Sequence, residues 1–162
     1  MAGEPGPITD TPVLELDLGQ LRTVLLDSGQ PTLTFSEVVD ATSVELHVEI
    51  KDPGAVATLA ELVLSRPADA AGIRFTSFQT EALSLRRQHA LSVPRGLIVS
   101  RYADTQQHEG GLDGILEAVG ASTFYSGFEG LTSQEVERLH QAGYEVHVWP
   151  LRSLSDVEQA VS

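Results

Sequence analysis

Apolar and polar positions alternate strictly between residues 43 and 51. Leu46, Val48 and Ile50 share one side of a predicted strand, and Glu45, His47, Glu49 and Lys51 share the other. Asp52-Pro53 closes this strand and opens a helix, with the aspartate as cap and the proline in the first turn. Upstream, residues 1–12 read as a loose leader, and 14–26 as a short helix weakened by Gly19. Thr34-Phe35-Ser36-Glu37 has capping-box spacing and starts a helix through Val38 and Val39. Downstream, strand and helix keep alternating. The pattern predicts helices at 53–65, 80–89, 110–120, 132–142 and from 155, and strands at 73–78, 96–100, 121–125 and 144–149.

Five strands, each followed by a helix, with connections this short, make parallel neighbours and an α/β fold. Periodicity alone leaves open whether the sheet is doubly wound or part of a barrel. Both architectures bind ligands at the carboxyl ends of the strands. Those ends are Glu49 and Lys51, Ser77 and Phe78, Ser100 and Arg101, Tyr125 and Ser126, and Trp149.

Composition narrows the function. With 162 residues the chain is the size of one domain, 1–162. Its 23 acidic and 10 basic side chains give a formal charge of −13, which disfavours nucleic acid and anionic lipid as partners. The chain has no cysteine, so thiolate metal sites and disulfides are excluded. The acidic, turn-rich amino terminus is unlike a secretory signal, and no apolar run is long enough for membrane insertion. These features predict a cytoplasmic protein.

Four segments carry a resemblance. Gln30-Pro31-Thr32-Leu33 with Ser36-Glu37-Val38-Val39 is similar to a Pro-Thr-Leu helix entry, and Val48-Glu49-Ile50-Lys51 to a Glu-Ile-Lys strand end. Phe75-Thr76-Ser77-Phe78 running on to Leu83 is similar to a Ser-Ser-Phe strand end, and Gly143-Tyr144-Glu145-Val146-His147-Val148-Trp149 to a strand ending in Trp. In this order, over residues 30–152, they resemble the glycerophosphodiester phosphodiesterase family.

The resemblance implies an incomplete TIM (βα)8-type barrel, roughly its third to seventh units, and a glycerophosphodiester substrate. It implies Glu49 as a ligand of a divalent metal, Mg or Ca, and Lys51, Trp149 and Ser77 beside the phosphate or substrate. The family's His-Arg-Gly, Glu-Asn-Thr, Glu-Leu-Asp-Val and His-Asp segments, which bring both catalytic histidines and most metal carboxylates, have no counterpart in these residues. Arg152 stands where the family has asparagine. Metal binding is therefore expected to be weak or absent and hydrolysis minimal. Open sheet edges would favour self-association, and a non-catalytic binding or interaction module is the alternative.

Each candidate has a plainer reading. Glu49 with Lys51 could be an ordinary ion pair at a barrel mouth, although buried lysine is uncommon without a task. Glu15 and Asp17 stand too few residues before Pro31 to supply the missing carboxylate motif, so a polar surface is expected there. His47 shares the site face, and His147 lies on one strand face with Trp149, as a pocket or core residue. Surface positions are expected for His89, His108 and His140, and pocket wall for Ser77 and Phe78. Gly110-Gly111 is too short for a dinucleotide fingerprint.

Overall fold

A computed structural model describes residues 11–26, 28–88 and 93–161, in two compact units divided after Ser43. The first contains a 3-10 turn at Val13–Glu15 and helices α1 (Leu18–Leu21) and α2 (Phe35–Ala41). The single helix expected at 14–26 is not formed. Asp17 interrupts it, because its carboxylate accepts the Gln20 amide at 2.8 Å while the Gln20 side chain accepts the Asp17 amide at 2.9 Å. Asp17 thus starts a new one-turn helix with Gly19 inside it, and both Glu15 and Asp17 are exposed. The capping box of α2 forms as its spacing predicts: Glu37 N–H donates to Thr34 Oγ1, and Thr34 N–H to Glu37 Oε2.

The second unit runs β1 (Leu46–Glu49), α3 (Val56–Leu64), α4 (Pro67–Ala70), β2 (Ile73–Ser77), α5 (Thr80–Gln88), β3 (Arg95–Val99), α6 (Gly111–Val119), β4 (Thr123–Ser126), α7 (Ser133–Gln141), β5 (Glu145–Val148) and α8 (Leu154–Val161). Asp52 caps the turn at Pro53–Ala55 by accepting the Gly54 amide at 2.8 Å. The pattern did not predict α4 or a 3-10 segment at Tyr102–Gln107. Both are too short to show a helical period.

The strands form one parallel sheet in the order β1-β2-β3-β4-β5, so each βα unit adds a strand beside the last. The sheet is not closed. Its outward side packs on the helices, with Leu97 and Phe124 buried against Leu83 of α5, Leu112 and Leu116 of α6 and Leu139 of α7. Among the described residues, no helix is long and apolar enough to cross a membrane.

The other side of the sheet is concave. In a flat sheet, four strand spacings would hold β1 and β5 about 19 Å apart. Yet the rings of His47 on β1 and His147 on β5 have centroids only 5.4 Å apart. Arg74 on β2 reaches Thr123 on β4 and Glu145 on β5. Only an arc as strongly curved as part of a barrel brings these side chains together. Gly96 makes one close approach possible: a Cβ there would overlap the Tyr125 ring, so the phenol lies across the bare backbone of β3.

Candidate functional site

The concave face is built in levels two residues apart, because alternate side chains of every strand point into it. At the amino ends of the strands Arg74 is almost fully buried, and three groups converge on it. Its Nε donates to Glu45 at 3.0 Å, and its Nη1 donates to Thr123 and Glu145. Arg74 holds both carboxyls below the ordinary carboxylate value, outweighing the opposing effect of burial. At this level each of the two carboxylates and the threonine hydroxyl meets a guanidinium N–H.

One step up lie three rings. Tyr125 stacks on His147 with centroids 4.8 Å apart and meets His47 edge-on at 5.7 Å. The Tyr125 hydroxyl lies 2.8 Å from His47 Nδ1. Burial, reinforced by Glu45 and Glu145 against the opposing Arg74, pushes this phenol up to about 12, so it stays protonated. His47 Nε2 faces Glu45 Oε1 at 3.2 Å, an oxygen that can only accept, which favours a ring proton on Nε2 and leaves Nδ1 to take the phenol's hydrogen bond. His147 is held below the ordinary imidazole value, first by burial and then by His47 and Arg74.

At the carboxyl ends of the strands the face opens into a hollow of about 260 Å³ lined by His47, Glu49, Thr76, Phe78, Ile98, Tyr125 and Trp149. Phe78 and Trp149 stand nearly perpendicular, at 83° with centroids 5.5 Å apart, so their ring planes make a corner. The Trp149 Nε1 is buried with no hydrogen-bond partner among the described residues. Glu49 is the one carboxylate in the lining, and no lysine or arginine joins it.

The structure thus brings Glu49, Trp149, Phe78 and His47 to one place, as the alternation and the strand ends predict. Lys51 stands at the edge: its ammonium lies 3.7 Å from Glu49, but its side chain is 80% exposed, so it is not the buried lysine that the sequence reading weighed. Ser77 departs from its expected place in the pocket wall. One residue out of phase with Thr76 and Phe78, it is fully buried; its hydroxyl donates to the Ile50 carbonyl at 2.7 Å and accepts the Gln79 amide at 3.0 Å. Gln79 in turn donates to the Lys51 carbonyl at 2.7 Å. Ser77 therefore fixes the end of the strand that carries Glu49. His108 and His140 are exposed, and His89 lies outside the described residues. Sequence reasoning missed Thr76 and Ile98 as lining and placed Tyr125 at a strand end without giving it a role; the small Gly96 beside β4 was the available signal for where its ring lies.

The residues present do not fit a divalent cation. Among the described residues there is no group of three or more His, Asp or Glu side chains able to hold one. A hard cation takes six or more oxygen ligands, and Glu49 offers one carboxylate that already faces an ammonium.

By sequence, no protein-family profile and no curated protein matches the chain. By structure it is similar to a protein from Galdieria sulphuraria described as a glycerophosphodiester phosphodiesterase, with a TM-score of 0.75 and 20% identity over 91% of this chain and 63% of that one. A glycerophosphodiester phosphodiesterase from Thermotoga maritima matches with a TM-score of 0.68 and 17% identity, over 89% of this chain and 61% of that one. A phosphodiesterase from Oleispira antarctica, in complex with its product sn-glycerol-3-phosphate, matches with a TM-score of 0.62 and 22% identity, over 77% of this chain and 50% of that one. The chain therefore has the fold of part of a glycerophosphodiester phosphodiesterase barrel, and spans about half to two thirds of the length of these structures.

Proposed function

We propose that the chain belongs to the glycerophosphodiester phosphodiesterase family and that its hollow is the substrate-facing side of a phosphodiester site in glycerophospholipid metabolism. One observation carries this reading: Glu49 and Trp149, from opposite edges of the sheet, meet Phe78 in one hollow at the carboxyl ends of the strands. In barrel folds that is the end where substrates bind. The product seen in the Oleispira antarctica phosphodiesterase supports a glycerophosphodiester as the substrate class. Trp149 and Glu49 border the substrate, Lys51 lends positive charge at the rim, and Ser77 contributes by positioning. We place the protein in the cytoplasm, in keeping with its lack of cysteine.

By itself the chain is a binding module, nearly inactive in hydrolysis. Loss of a general acid or base costs about 10²–10⁴-fold, and the family's two histidine motifs have no counterpart among these residues. The test is hydrolysis of glycerophosphocholine with and without Mg or Ca, alongside calorimetry with each metal. We expect no turnover above background and no saturable metal binding in the low micromolar range. A fusion supplying the two histidine segments of a relative should recover activity. Turnover by the unmodified chain that disappears in His47→Ala would overturn the reading and make His47 catalytic.

The sheet edges favour an interaction role beside this one. Among the described residues β1 and β5 each have a strand neighbour on one side only, and α8 leaves Leu154 83% exposed. Sedimentation at micromolar concentration should then show dimers or larger species.

A further inference from the structure

We propose that Tyr125, His47 and Glu45 form a triad for acyl transfer from neutral carboxylic esters, with the Tyr125 hydroxyl as nucleophile, His47 as its base and Glu45 as the positioning carboxylate. The inference goes beyond the phosphodiester reading and does not rest on it. Two linked contacts carry it. The Tyr125 hydroxyl lies 2.8 Å from His47 Nδ1, and His47 Nε2 lies 3.2 Å from Glu45 Oε1. A nucleophile within hydrogen-bond reach of a base, with that base oriented by a third group, is the arrangement that activates a hydroxyl. The protons run the right way. With the ring proton on Nε2 toward the carboxylate, Nδ1 holds the lone pair that faces the phenol. Arg74 donates to the same Glu45 oxygen at 3.0 Å and holds the carboxyl ionised, ready to stabilise an imidazolium beside it. The phenol sits at about 12, so phenolate is scarce at neutral pH and the base acts during the attack.

The setting selects the electrophile. The Tyr125 ring is fixed by its stack on His147 at 4.8 Å and by the bare backbone of Gly96 beneath it. The His47 side chain is 35% exposed, and both reacting groups border the hollow of about 260 Å³, so a small molecule reaches them. No lysine or arginine in that lining draws in an anion, and Glu49 repels one. A neutral ester carbonyl is thereby favoured over a phosphate. In the first step Tyr125 Oη bonds to the carbonyl carbon while its proton passes to His47 Nδ1. The bond from that carbon to the alcohol oxygen then breaks, and the departing oxygen takes the proton from Nδ1. What remains is an O-acyl tyrosine, itself an aryl ester with a good leaving group. Water, giving a proton to Nδ1, attacks its carbonyl; the phenolate leaves and recovers that proton. The sum is ester and water to acid and alcohol.

The probe is p-nitrophenyl acetate, added to the unmodified protein with EDTA present. We expect a burst of p-nitrophenol and a mass gain of one acetyl group, which peptide mapping should place on Tyr125, with Tyr102 and Tyr144 as internal controls. Tyr125→Phe keeps the ring and should slow the burst by about 100-fold, as should His47→Ala. Added imidazole should return part of the rate to His47→Ala, which it could not do for a misfolded chain. Glu45→Gln should lower the acylation rate and leave the saturation constant for the ester unchanged. A burst that persists in Tyr125→Phe would make His47 the nucleophile and overturn the proposal. So would acetyl groups found on Lys51 or the amino terminus with none on Tyr125. None of these readouts involves a phosphodiester, so this inference and the hydrolase reading stand or fall separately.

Discussion

The two ends of the concave face are made from the same strands four residues apart, yet they are chemical opposites. Glu45, Arg74 and Glu145 close one end with ion pairs, each acceptor matched to a guanidinium N–H. Moving four residues along each strand replaces Glu45 with Glu49, Arg74 with Phe78 and Glu145 with Trp149, and the face opens. The charge that was answered within the protein is now answered only by an exposed lysine at 3.7 Å. A saturated level of this kind holds the arc together. An unsaturated one is where a ligand has something to gain.

The comparison breaks most directly at Arg74. Arg74→Met should leave Glu45 and Glu145 facing each other without their counter-ion. Removing one partner of a buried pair costs about 3–5 kcal/mol; because both glutamates are half exposed and can rehydrate, we expect about 2–3 kcal/mol, read as a lower urea midpoint. Trp149→Leu, at the open end, should change stability by no more than about 1 kcal/mol. Equal losses would show that both ends hold the fold.

A smaller effect is expected at Gly96. Gly96→Ala places a methyl group where Tyr125 now lies, an overpacking worth about 1–3 kcal/mol. The phenol should be pushed toward the hollow, raising Trp149 solvent exposure as seen by fluorescence quenching. Gly96→Ala with unchanged stability and quenching would mean the ring has room to move.

The smallest effect is on pH dependence. The folded state holds His147 below its ordinary value of 6.5, so it favours the neutral ring. The stability this contributes is complete above that value and lost as pH falls through the lowered one. Glu45 and Glu145, held below their ordinary 4.5, add a second loss at more acid pH. Unfolding free energy against pH should therefore decline in two stages on acidification. His147→Phe should remove the first and keep the second.

Some of this could be read from the sequence and some could not, for definite reasons. Period-two alternation put Glu45, His47 and Glu49 on one side of a strand because β1 has a polar face and an apolar one. It failed at Ser77 because β2 is buried along its whole length, so no polarity marks which residues turn inward. Lys51 lies past the last residue of β1, where alternation no longer sets direction. Capping residues were legible, since Asp52 and Thr34 each act within three residues of themselves. The Arg74 clamp was not, because it depends on a curvature that no local window encodes.

That clamp also bears on how the chain acquires its fold. Arg74 and Glu145 are 71 residues apart in sequence, and His47 and Tyr125 are 78 apart. Neighbouring βα units pair in chain order, but no set of strands without β5 gives Arg74 all its partners. The guanidinium gains its last carboxylate only when β5 docks. Long-range contacts of this kind slow folding, because the loop between them must close before the contact stabilises anything. Completion of the clamp should therefore wait on the arrival of the final strand, with Glu145 the residue that closes it.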